Sequence, residues 1–267
     1  MSMFSASKDA SKFASLYERH GERLTQAINL RVLNKIGPVL GKRMIDVAAG
    51  TGGMALAAAE RGARVLATDF NLAMVARAAE RLASFEDCGS QEMHFEHLDA
   101  EDATFDIAVS TFGLLAYSNW AQGLKELYRV TRPGGVVALS NWTHRSDCSP
   151  AHLLKRVFES NFPNRKLWPD DFAPIFTKES LEEAIRRSGA ENVTVSVETA
   201  DWSPFSSANV VDECTPMFAG FPGYASLSEG EREALREPLQ AAFMAYAGVD
   251  GTIRLPTESF VVVANKR

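Results

Sequence analysis

The sequence predicts an α/β fold built around a doubly wound, parallel sheet. Short apolar runs alternate with amphipathic segments between residues 44 and 142, which is the pattern of strands joined by crossover helices. The first apolar run, residues 44–47, passes directly into a glycine-rich turn, and a helix is predicted to follow over residues 54–60. In such a sheet the ligand crevice lies beyond the carboxyl ends of the strands, so we expect the functional site at this turn.

The glycine-rich turn has the composition of a nucleoside-binding loop. Gly50, Gly52 and Gly53 carry no Cβ atoms, so the backbone can approach a ligand closely or adopt unusual dihedral angles. The free N–H groups at the start of the following helix are aimed at the same ligand. Asp69 ends the second apolar run, nineteen residues after Gly50, and a carboxylate there can accept hydrogen bonds from both hydroxyls of a ribose.

Two classes of cofactor fit this turn. Residues 50–55 read Gly-Thr-Gly-Gly-Met-Ala, which satisfies the dinucleotide pattern G-x-G-x-x-G/A and leaves NAD open. Asp46 favours a different ligand, because it stands four residues before Gly50. A carboxylate at that position would repel a pyrophosphate and attract a ligand that carries an ammonium or a sulfonium.

Several stretches of the sequence resemble one enzyme family. The run D-V-A-A-G-T-G-G from Asp46 resembles motif I of the class I S-adenosylmethionine-dependent methyltransferases, whose usual form is D-x-G/A-x-G-x-G. F-D-I-A-V from Phe105 and R-P-G-G from Arg132 follow in the family's order, so the resemblance covers roughly residues 44–142. With D-G-T-I-R-L-P from Asp250, these stretches are similar to the branch that contains ubiquinone and menaquinone biosynthesis methyltransferases and many natural-product tailoring enzymes.

The resemblance implies a particular sheet. It is Rossmann-like, with seven mostly parallel strands, an antiparallel last strand and helical insertions that form a cap. The resemblance predicts the positions of several elements: a third strand at 95–100, a fourth at 105–112, a helix at 124–130, a fifth strand at 136–140 and an antiparallel pair of edge strands at 192–199 and 259–264.

The resemblance also implies the cofactor and its binding residues. The cofactor is S-adenosylmethionine, which leaves as S-adenosylhomocysteine. Asp99 with the Ala100 backbone would lie beside the adenine, although the loop from Asp99 to Phe105 is shorter than that branch usually has. Tyr17 would lie near the methionine end of the cofactor. The expected cofactor-binding residues are Tyr17, Asp46, Ala48, Gly50, Thr51, Gly52, Asp69, Phe70, Asp99, Ala100, Thr111 and Phe112.

Methyl transfer requires few catalytic side chains from the protein. It is an in-line displacement from a cationic sulfur, so the protein mainly aligns the reactants, which can supply up to about 7–11 kcal/mol. A base is needed only when the acceptor must lose a proton. His144, directly after the fifth strand, is the candidate catalytic residue, although a histidine on a surface loop is the simpler and favoured interpretation. His94 and His97 lack the spacing of a metal-binding pair, and we predict no metal.

The domain organisation is predicted from segments around this motif region. Residues 1–41 are expected to form an N-terminal helical lid, with an apolar face that includes Phe13, Tyr17 and Leu24, or else a helix packed on the sheet. Residues 42–267 form the methyltransferase domain, with insertions at about 143–176 and 200–256. Both insertions are rich in aromatic residues. They predict a cap over a small, partly apolar or aromatic acceptor, or a satellite core, and a helix in the second is available for a homodimer contact.

Composition limits the partners and the compartment. The net charge of −6 argues against nucleic acid as the main partner, because phosphate binding relies on clustered basic residues. The sequence contains no run of eighteen apolar residues, so we predict no membrane span. The N-terminus also lacks the apolar core of a signal peptide. The three cysteines, Cys88, Cys148 and Cys214, are widely spaced, which predicts free thiols and a reducing, cytoplasmic location.

Three functional hypotheses follow from the sequence. The main one is methyl transfer to a small molecule. The end of the fourth strand, residues 110–113, reads Ser-Thr-Phe-Gly and lacks the N/D-P-P-Y/F motif of enzymes that methylate base or glutamine amines, which leaves oxygen, carbon or aliphatic nitrogen acceptors. The alternatives are an NAD(P)-dependent oxidoreductase on a similar fold and a non-catalytic regulatory protein that binds S-adenosylmethionine.

Overall fold

The computed structural model describes residues 14–201 and 205–267. Its strands are β1 (Arg43–Val47), β2 (Arg64–Asp69), β3 (Gly89–Glu92), β4 (Phe105–Thr111), β5 (Thr131–Trp142), β6 (Ala190–Asp201), β7 (Phe205–Ser206), β8 (Thr252–Ile253) and β9 (Pro256–Lys266). Seven of them form the main sheet in the order β3-β2-β1-β4-β5-β9-β6, and β7 pairs with β8 in a separate ribbon.

Helices join these strands. They are α1 (Glu22–Ile36), α2 (Gly53–Ala59), α3 (Leu72–Leu82), α4 (Trp120–Val130), α5 (Pro150–Asn161), α6 (Lys178–Arg187), α7 (Val210–Phe218), α8 (Pro222–Ala225) and α9 (Glu229–Met244). A π-helical turn, Tyr17–Gly21, leads into α1, and a 3₁₀ turn, Leu114–Ala116, follows β4.

The strand directions confirm the predicted sheet. Neighbouring strands from β3 to β5 are parallel, and β9 runs antiparallel to both β5 and β6. Six strands therefore point one way and the last strand opposes them. The carboxyl ends of β1, β2, β4 and β5 meet at one edge of the sheet, which is where the glycine-rich turn lies.

Helices cover both faces of the sheet. Successive side chains of a strand point to opposite faces, so Met44 of β1 enters one core and Ile45 the other. The Met44 core includes Ile28 and Val32 of α1 together with α2 and α3 residues. The Ile45 core includes apolar residues of α4 and α6. Burial on both faces explains why β1 after its exposed first residue, Arg43, reads as an apolar run broken only by Asp46.

A third apolar core lies in the two insertions. Helices α5, α7 and α9 pack together there, with Leu24 of α1 at its margin. Its largest fully buried side chains are Phe158, Phe205, Phe218 and Phe243. Most of the aromatic residues of the insertions therefore form a satellite core. Phe176 belongs to the sheet core instead, and Trp202 lies outside the described residues.

The predicted third strand is wrong. Residues 95–100 form a loop, in which the His97 N–H donates to the His94 carbonyl at 3.0 Å, and the edge strand is the more polar Gly89–Glu92. The apolar residues of this loop pack on neighbouring elements. Leu98 is buried in the sheet core, and Phe95 packs on Gly123 of α4, where an added Cβ would lie 2.5 Å from its ring.

Two other predicted boundaries change. The R-P-G-G segment is no separate turn, because β5 already begins at Thr131 and residues 132–135 form a bulge between the Phe105–Thr131 and Ile107–Val136 pairs. Helix α4 begins at Trp120, one turn before the predicted start at residue 124.

The helical part of the N-terminal segment ends earlier than predicted. Within the described residues it runs from Ala14 to Ile36 and ends at Gly37, whose φ of +90° cannot continue a helix. Helix α1 packs on α2 and on β5, β6 and β9, so it is part of the sheet's cover. Phe13, which the sequence placed on the apolar face, lies outside the described residues.

Candidate active site

The glycine-rich turn leaves β1 through three residues with left-handed backbone. Their φ angles are +56° at Ala48, +56° at Gly50 and +80° at Gly52. Glycine is required at Gly52 for a second reason, because a Cβ there would lie 3.0 Å from the Cβ of Ala78 on α3. The turn thus brings the backbone N–H groups that open α2 to the carboxyl edge of the sheet.

Asp69, the last residue of β2, holds this turn in place. Its Oδ2 accepts a hydrogen bond from the Gly50 N–H and its Oδ1 accepts one from the Asn71 N–H, both at 2.9 Å. Burial raises the pKa of Asp69, and the N–H groups of Asn71, Gly50 and Phe70 oppose this rise. Asp69, which the sequence predicted to bind a ribose, therefore also stabilises the glycine-rich turn.

Asp46 is buried in β1 without a counter-charge. Its side chain is inaccessible to solvent, and neither carboxyl oxygen has a hydrogen-bond partner among the described residues. Burial raises the pKa of Asp46 to about 8, and the nearby Asp69 and Glu22 add to the rise, while the Ala55 N–H, which lies close by but outside hydrogen-bonding geometry, opposes it in part. An unpaired buried carboxyl is costly, and a cationic ligand beside it would remove that cost.

The N-terminal segment lies directly on the turn. A Cβ on Gly50 would stand 3.0 Å from the Tyr17 ring, so glycine leaves room for the tyrosine. Burial and the acids Glu22, Asp69 and Asp46 raise the pKa of Tyr17, which keeps its hydroxyl protonated. Three of the predicted cofactor residues, Tyr17, Asp46 and Asp69, are thus brought together.

Glu22 and Arg81 were not predicted and complete this contact. The Glu22 carboxylate accepts hydrogen bonds from the Thr51 hydroxyl and from Arg81, whose Nη1 lies 2.5 Å from Oε1. Arg81 also donates to the Thr51 carbonyl at 2.9 Å. The same carboxylate explains why position 53 is a glycine, because a Cβ there would lie 2.9 Å from it. In the sequence, Glu22 and Arg81 are only two opposite charges on two helices. Such pairs are too common for this one to be predicted.

The residues expected around the adenine are less closely grouped. Phe70 follows Asp69, is half-buried and stacks on His94 with ring centroids 5.9 Å apart. Asp99 is exposed on the loop that replaces the predicted third strand, and Ala100 is half-buried beside it. Arg129 of α4 holds this loop by donating to the Ala100 carbonyl at 2.7 Å.

The end of β4 faces the end of β5. Thr111 closes β4, and Phe112 turns away from it with a φ of +56°, donating its N–H to the Ser140 carbonyl at 3.1 Å. The Phe112 ring packs on Trp142 with centroids 4.4 Å apart. Gly113 permits the turn, because a Cβ there would meet the Ala48 Cβ at 2.6 Å. The fourth strand and the glycine-rich turn are therefore in direct contact.

His144 lies just beyond β5 and is not a histidine on an exposed loop. It is half-buried, its φ is +59°, and its Nδ1 lies 3.2 Å from the Nε2 of His152 on α5. Its Nε2 is buried and has no hydrogen-bond partner among the described residues. Burial lowers the pKa of His144, which keeps the imidazole neutral and able to accept a proton near pH 7.

Aromatic rings continue from Trp142 into the first insertion. The His152 ring lies 6.3 Å from Trp142 and 5.9 Å from Trp168, edge to face in both cases. Trp168 in turn packs on Phe172 and Phe221. Unlike the four fully buried phenylalanines of the satellite core, Trp142, Trp168 and Phe172 are only partly buried, so their rings remain available to an aromatic or apolar ligand.

Three general properties of the described residues bear on the site. Within residues 14–201 and 205–267, no group of three or more histidine, cysteine or acidic residues is arranged to hold a metal ion. The helices of the same ranges include none long and apolar enough to cross a membrane. The three cysteines are free thiols.

Comparison with known proteins identifies the family. Residues 44–135 match the family model described as a methyltransferase domain. Demethylmenaquinone methyltransferase of Clavibacter sepedonicus is 32% identical over 155 residues, which span 55% of this chain and 60% of that protein. An uncharacterized protein of Mycobacterium tuberculosis is 35% identical over 213 residues, which span 74% of this chain and 73% of the relative. The YcgJ protein of Bacillus subtilis has the same fold, with a TM-score of 0.61 at 17% identity over 93% of this chain and 99% of that one.

The chain belongs to the class I S-adenosylmethionine-dependent methyltransferases, as its motifs predicted. The cofactor of this family is S-adenosylmethionine, which decides between the two cofactor classes that the glycine pattern left open. The residues present fit that cofactor, because the turn offers close backbone approach and Asp46 offers a buried carboxyl that lacks a partner among the described residues.

Proposed function

We propose that this protein transfers a methyl group from S-adenosylmethionine to a small, partly apolar or aromatic acceptor. The observation that carries the proposal is the buried Asp46 carboxyl, which has no hydrogen-bond partner among the described residues. A dinucleotide would bring a pyrophosphate toward this acid, whereas a sulfonium cofactor brings a positive charge. When bound, the cofactor supplies an electrophilic methyl group on a good leaving group.

The protein's contribution to binding divides among the residues of the turn and the two acids. Gly50, Thr51 and Gly52 present backbone to the cofactor, with Ala48 turning the chain toward it. Asp69 accepts from the ribose hydroxyls while it keeps Gly50 in place. The remaining proposed contacts are Tyr17 at the methionine end, Phe70, Asp99 and Ala100 at the adenine, and Thr111 and Phe112 toward the methyl group.

The acceptor side is proposed to lie between the end of β4 and the insertions. Phe112 and Trp142 form one wall and Trp168 with Phe172 another, which suits a planar or apolar molecule. His144 is the proposed general base for an acceptor that must lose a proton, because its buried Nε2 lies free of other hydrogen bonds among the described residues. The insertions act as the cap, and the segment that carries Tyr17 and Glu22 acts as the lid.

A quinol-like acceptor is one candidate for this pocket. The relative from Clavibacter sepedonicus is named a demethylmenaquinone methyltransferase, and the half-buried aromatic rings fit an aromatic acceptor of that kind. The sequence at the end of β4 leaves oxygen, carbon and aliphatic nitrogen acceptors open. The candidate acceptors to test are therefore phenols, short-chain hydroquinones, aliphatic amines and carbon acids.

Calorimetry with four ligands tests the proposal. The purified protein is titrated in parallel with S-adenosylmethionine, S-adenosylhomocysteine, NAD and NADP. We expect micromolar binding of the first two ligands and none of the last two. Binding of a dinucleotide alone would overturn the proposal. The protein is then incubated with S-adenosylmethionine and phenols, short-chain hydroquinones, aliphatic amines or carbon acids, and methylation is measured by mass spectrometry. Cofactor binding without methylation of any of these acceptors would favour a non-catalytic regulatory role.

A further inference from the structure

His152 and His144 form a hydrogen-bonded pair that joins the segment after β5 to α5. We infer that His152 is a positioning residue that holds His144 in the tautomer with a free Nε2 lone pair, the form that can take a proton from an acceptor. This inference rests on the proposed methyl transfer for its chemistry, but its geometric part concerns the protein alone.

The hydrogen-bond chain behind His144 has three members. His144 Nδ1 lies 3.2 Å from His152 Nε2, and His152 Nδ1 lies 2.9 Å from the Ser149 hydroxyl and 3.3 Å from the Cys148 thiol. Ser149 also caps α5, because its hydroxyl accepts from the His152 N–H at 3.4 Å. His152 is thereby fixed at both ring nitrogens and by its backbone.

The chain permits two proton arrangements, and burial selects one of them. In the first, His152 Nε2–H donates to His144 Nδ1, which places a proton on the buried His144 Nε2. In the second, His144 Nδ1–H donates to His152 Nε2, and His152 Nδ1–H donates to Ser149. The His144 Nε2 is buried without a partner among the described residues, and a buried orphan N–H is rarer than an underused acceptor. The second arrangement therefore fits the structure, and it leaves a lone pair on His144.

Burial, more than the groups around the pair, keeps His152 neutral. Burial, His144 and Lys155 lower the pKa of His152 to about 3, while Asp147 opposes this. The Asp147 carboxylate is already bonded to Arg145 at 3.0 Å and to the Tyr246 hydroxyl at 3.0 Å.

The remaining polar neighbours stay neutral or are paired elsewhere. Burial raises the pKa of the Cys148 thiol to about 12, so it carries no charge beside His152 at neutral pH. Glu258 of β9 binds Arg145 at 2.7 Å. His152 therefore acts as a hydrogen-bond acceptor for His144 and not as a second base.

The proton balance of the step follows from this geometry. The O–H or N–H bond of the acceptor breaks, its proton passes to His144 Nε2, and its electron pair forms the bond to the methyl carbon. The electron pair of the carbon–sulfur bond stays with the sulfur, which becomes neutral. His144 becomes an imidazolium whose Nδ1–H still donates to His152 Nε2, so the positive charge forms next to an acceptor.

Nitrogen-15 NMR of the histidines tests the inference without any acceptor. In the wild type near pH 7.5 we expect His144 to carry its proton on Nδ1. His152→Leu removes the acceptor, and His144 should then shift to the Nε2–H form that predominates for free neutral imidazole. His152→Gln keeps an amide oxygen near the former Nε2 and should retain the Nδ1–H form. The exposed His97 serves as the reference signal. A wild-type His144 protonated on Nε2 would overturn the inference, even if His152→Leu does not fold.

Kinetics with an accepted substrate tests the consequence. We expect His152→Leu to lower kcat about tenfold or more with little change in KM, to move the acidic limb of the pH profile to lower pH, and to be rescued largely by His152→Gln. Loss of melting temperature without rescue by glutamine would instead assign His152 a structural role and overturn the inference. If the wild type methylates nothing, the proposed function fails while the tautomer result still decides the positioning of His144.

Discussion

The Gly50 N–H donates to the Asp69 carboxylate at 2.9 Å, joining the glycine-rich turn after β1 to the end of β2. The carboxylate has a second bond to the Asn71 N–H, so one oxygen serves the turn and the other serves its own strand end. Asp69 is 8% exposed, which leaves little of it open to water. A ligand hydroxyl bonded to Asp69 is therefore placed relative to the turn with little freedom.

The first prediction concerns Asp69→Ala. The substitution removes charge-assisted hydrogen bonds worth about 1.5–3 kcal/mol each, so S-adenosylmethionine and S-adenosylhomocysteine should both bind at least tenfold more weakly by calorimetry. The fold should survive, because Asp69 lies at a strand end and outside the apolar cores. The exposed Asp171→Ala is the matched control and should bind like the wild type. Unchanged affinity in folded Asp69→Ala would remove Asp69 from the site.

The second prediction concerns the charge of Asp46. Because its pKa is raised to about 8, Asp46 is mostly protonated at neutral pH, and a sulfonium favours its ionised form. We expect the affinity for S-adenosylmethionine to rise as the pH increases from about 6.5 to 8.5, with proton release on binding. S-adenosylhomocysteine, which lacks the sulfonium, should respond less. Calorimetry in buffers of different ionisation enthalpy counts the protons, and Asp46→Asn should abolish the difference between the ligands.

The same acid makes a prediction about stability. In the unfolded chain Asp46 ionises near the ordinary pKa of about 3.9, whereas in the folded protein it stays protonated to about pH 8. Its contribution is therefore fully present below the unfolded pKa and is lost as the pH rises through the folded pKa. Asp46→Asn should raise the melting temperature of the ligand-free protein more at pH 8.5 than at pH 5. A gain that is equal at both values would mean that Asp46 is ionised throughout.

The motifs of residues 44–142 predicted much of this arrangement because their physical requirements are local. Asp46, Gly50 and Asp69 each lie next to a strand end, so the parallel topology alone brings them to one edge of the sheet. The antiparallel last strand followed from the family resemblance, and the pairing of β9 with β5 and β6 confirms it.

What the sequence missed depends on contacts between distant segments. Glu22 reaches Thr51 and Arg81 across 29 and 59 positions, and nothing near Glu22 distinguishes it from other surface acids. The family resemblance placed a strand at residues 95–100, but Phe95 packs on Gly123 of α4 and this stretch forms a loop. His152 likewise has no motif of its own, and only its distance to His144 reveals it.

The aromatic wall proposed for the acceptor site gives a prediction about the acceptor. Trp168 packs on Phe172 and Phe221 and lies within 5.9 Å of His152, so its loss should weaken binding of a planar acceptor. Aromatic contacts of this kind are worth about 0.5–1.5 kcal/mol, which corresponds to a roughly two- to tenfold increase in the acceptor KM for Trp168→Ala. The affinity for S-adenosylmethionine should not change. Trp120→Ala, which removes a tryptophan that packs on Phe176, should leave both constants near wild type.

The last prediction separates the three free thiols by reactivity. Cys148 and Cys214 are fully buried, and burial raises the pKa of both, the former to about 12, so neither forms much thiolate at neutral pH. Cys88 is half-buried and directly precedes the edge strand β3. We therefore expect a thiol reagent to modify Cys88 first in the native protein, by mass spectrometry, and all three after unfolding. Cys88→Ser should eliminate the fast phase, and a fast phase that persists in this variant would show that the insertions around Cys148 or Cys214 open in solution.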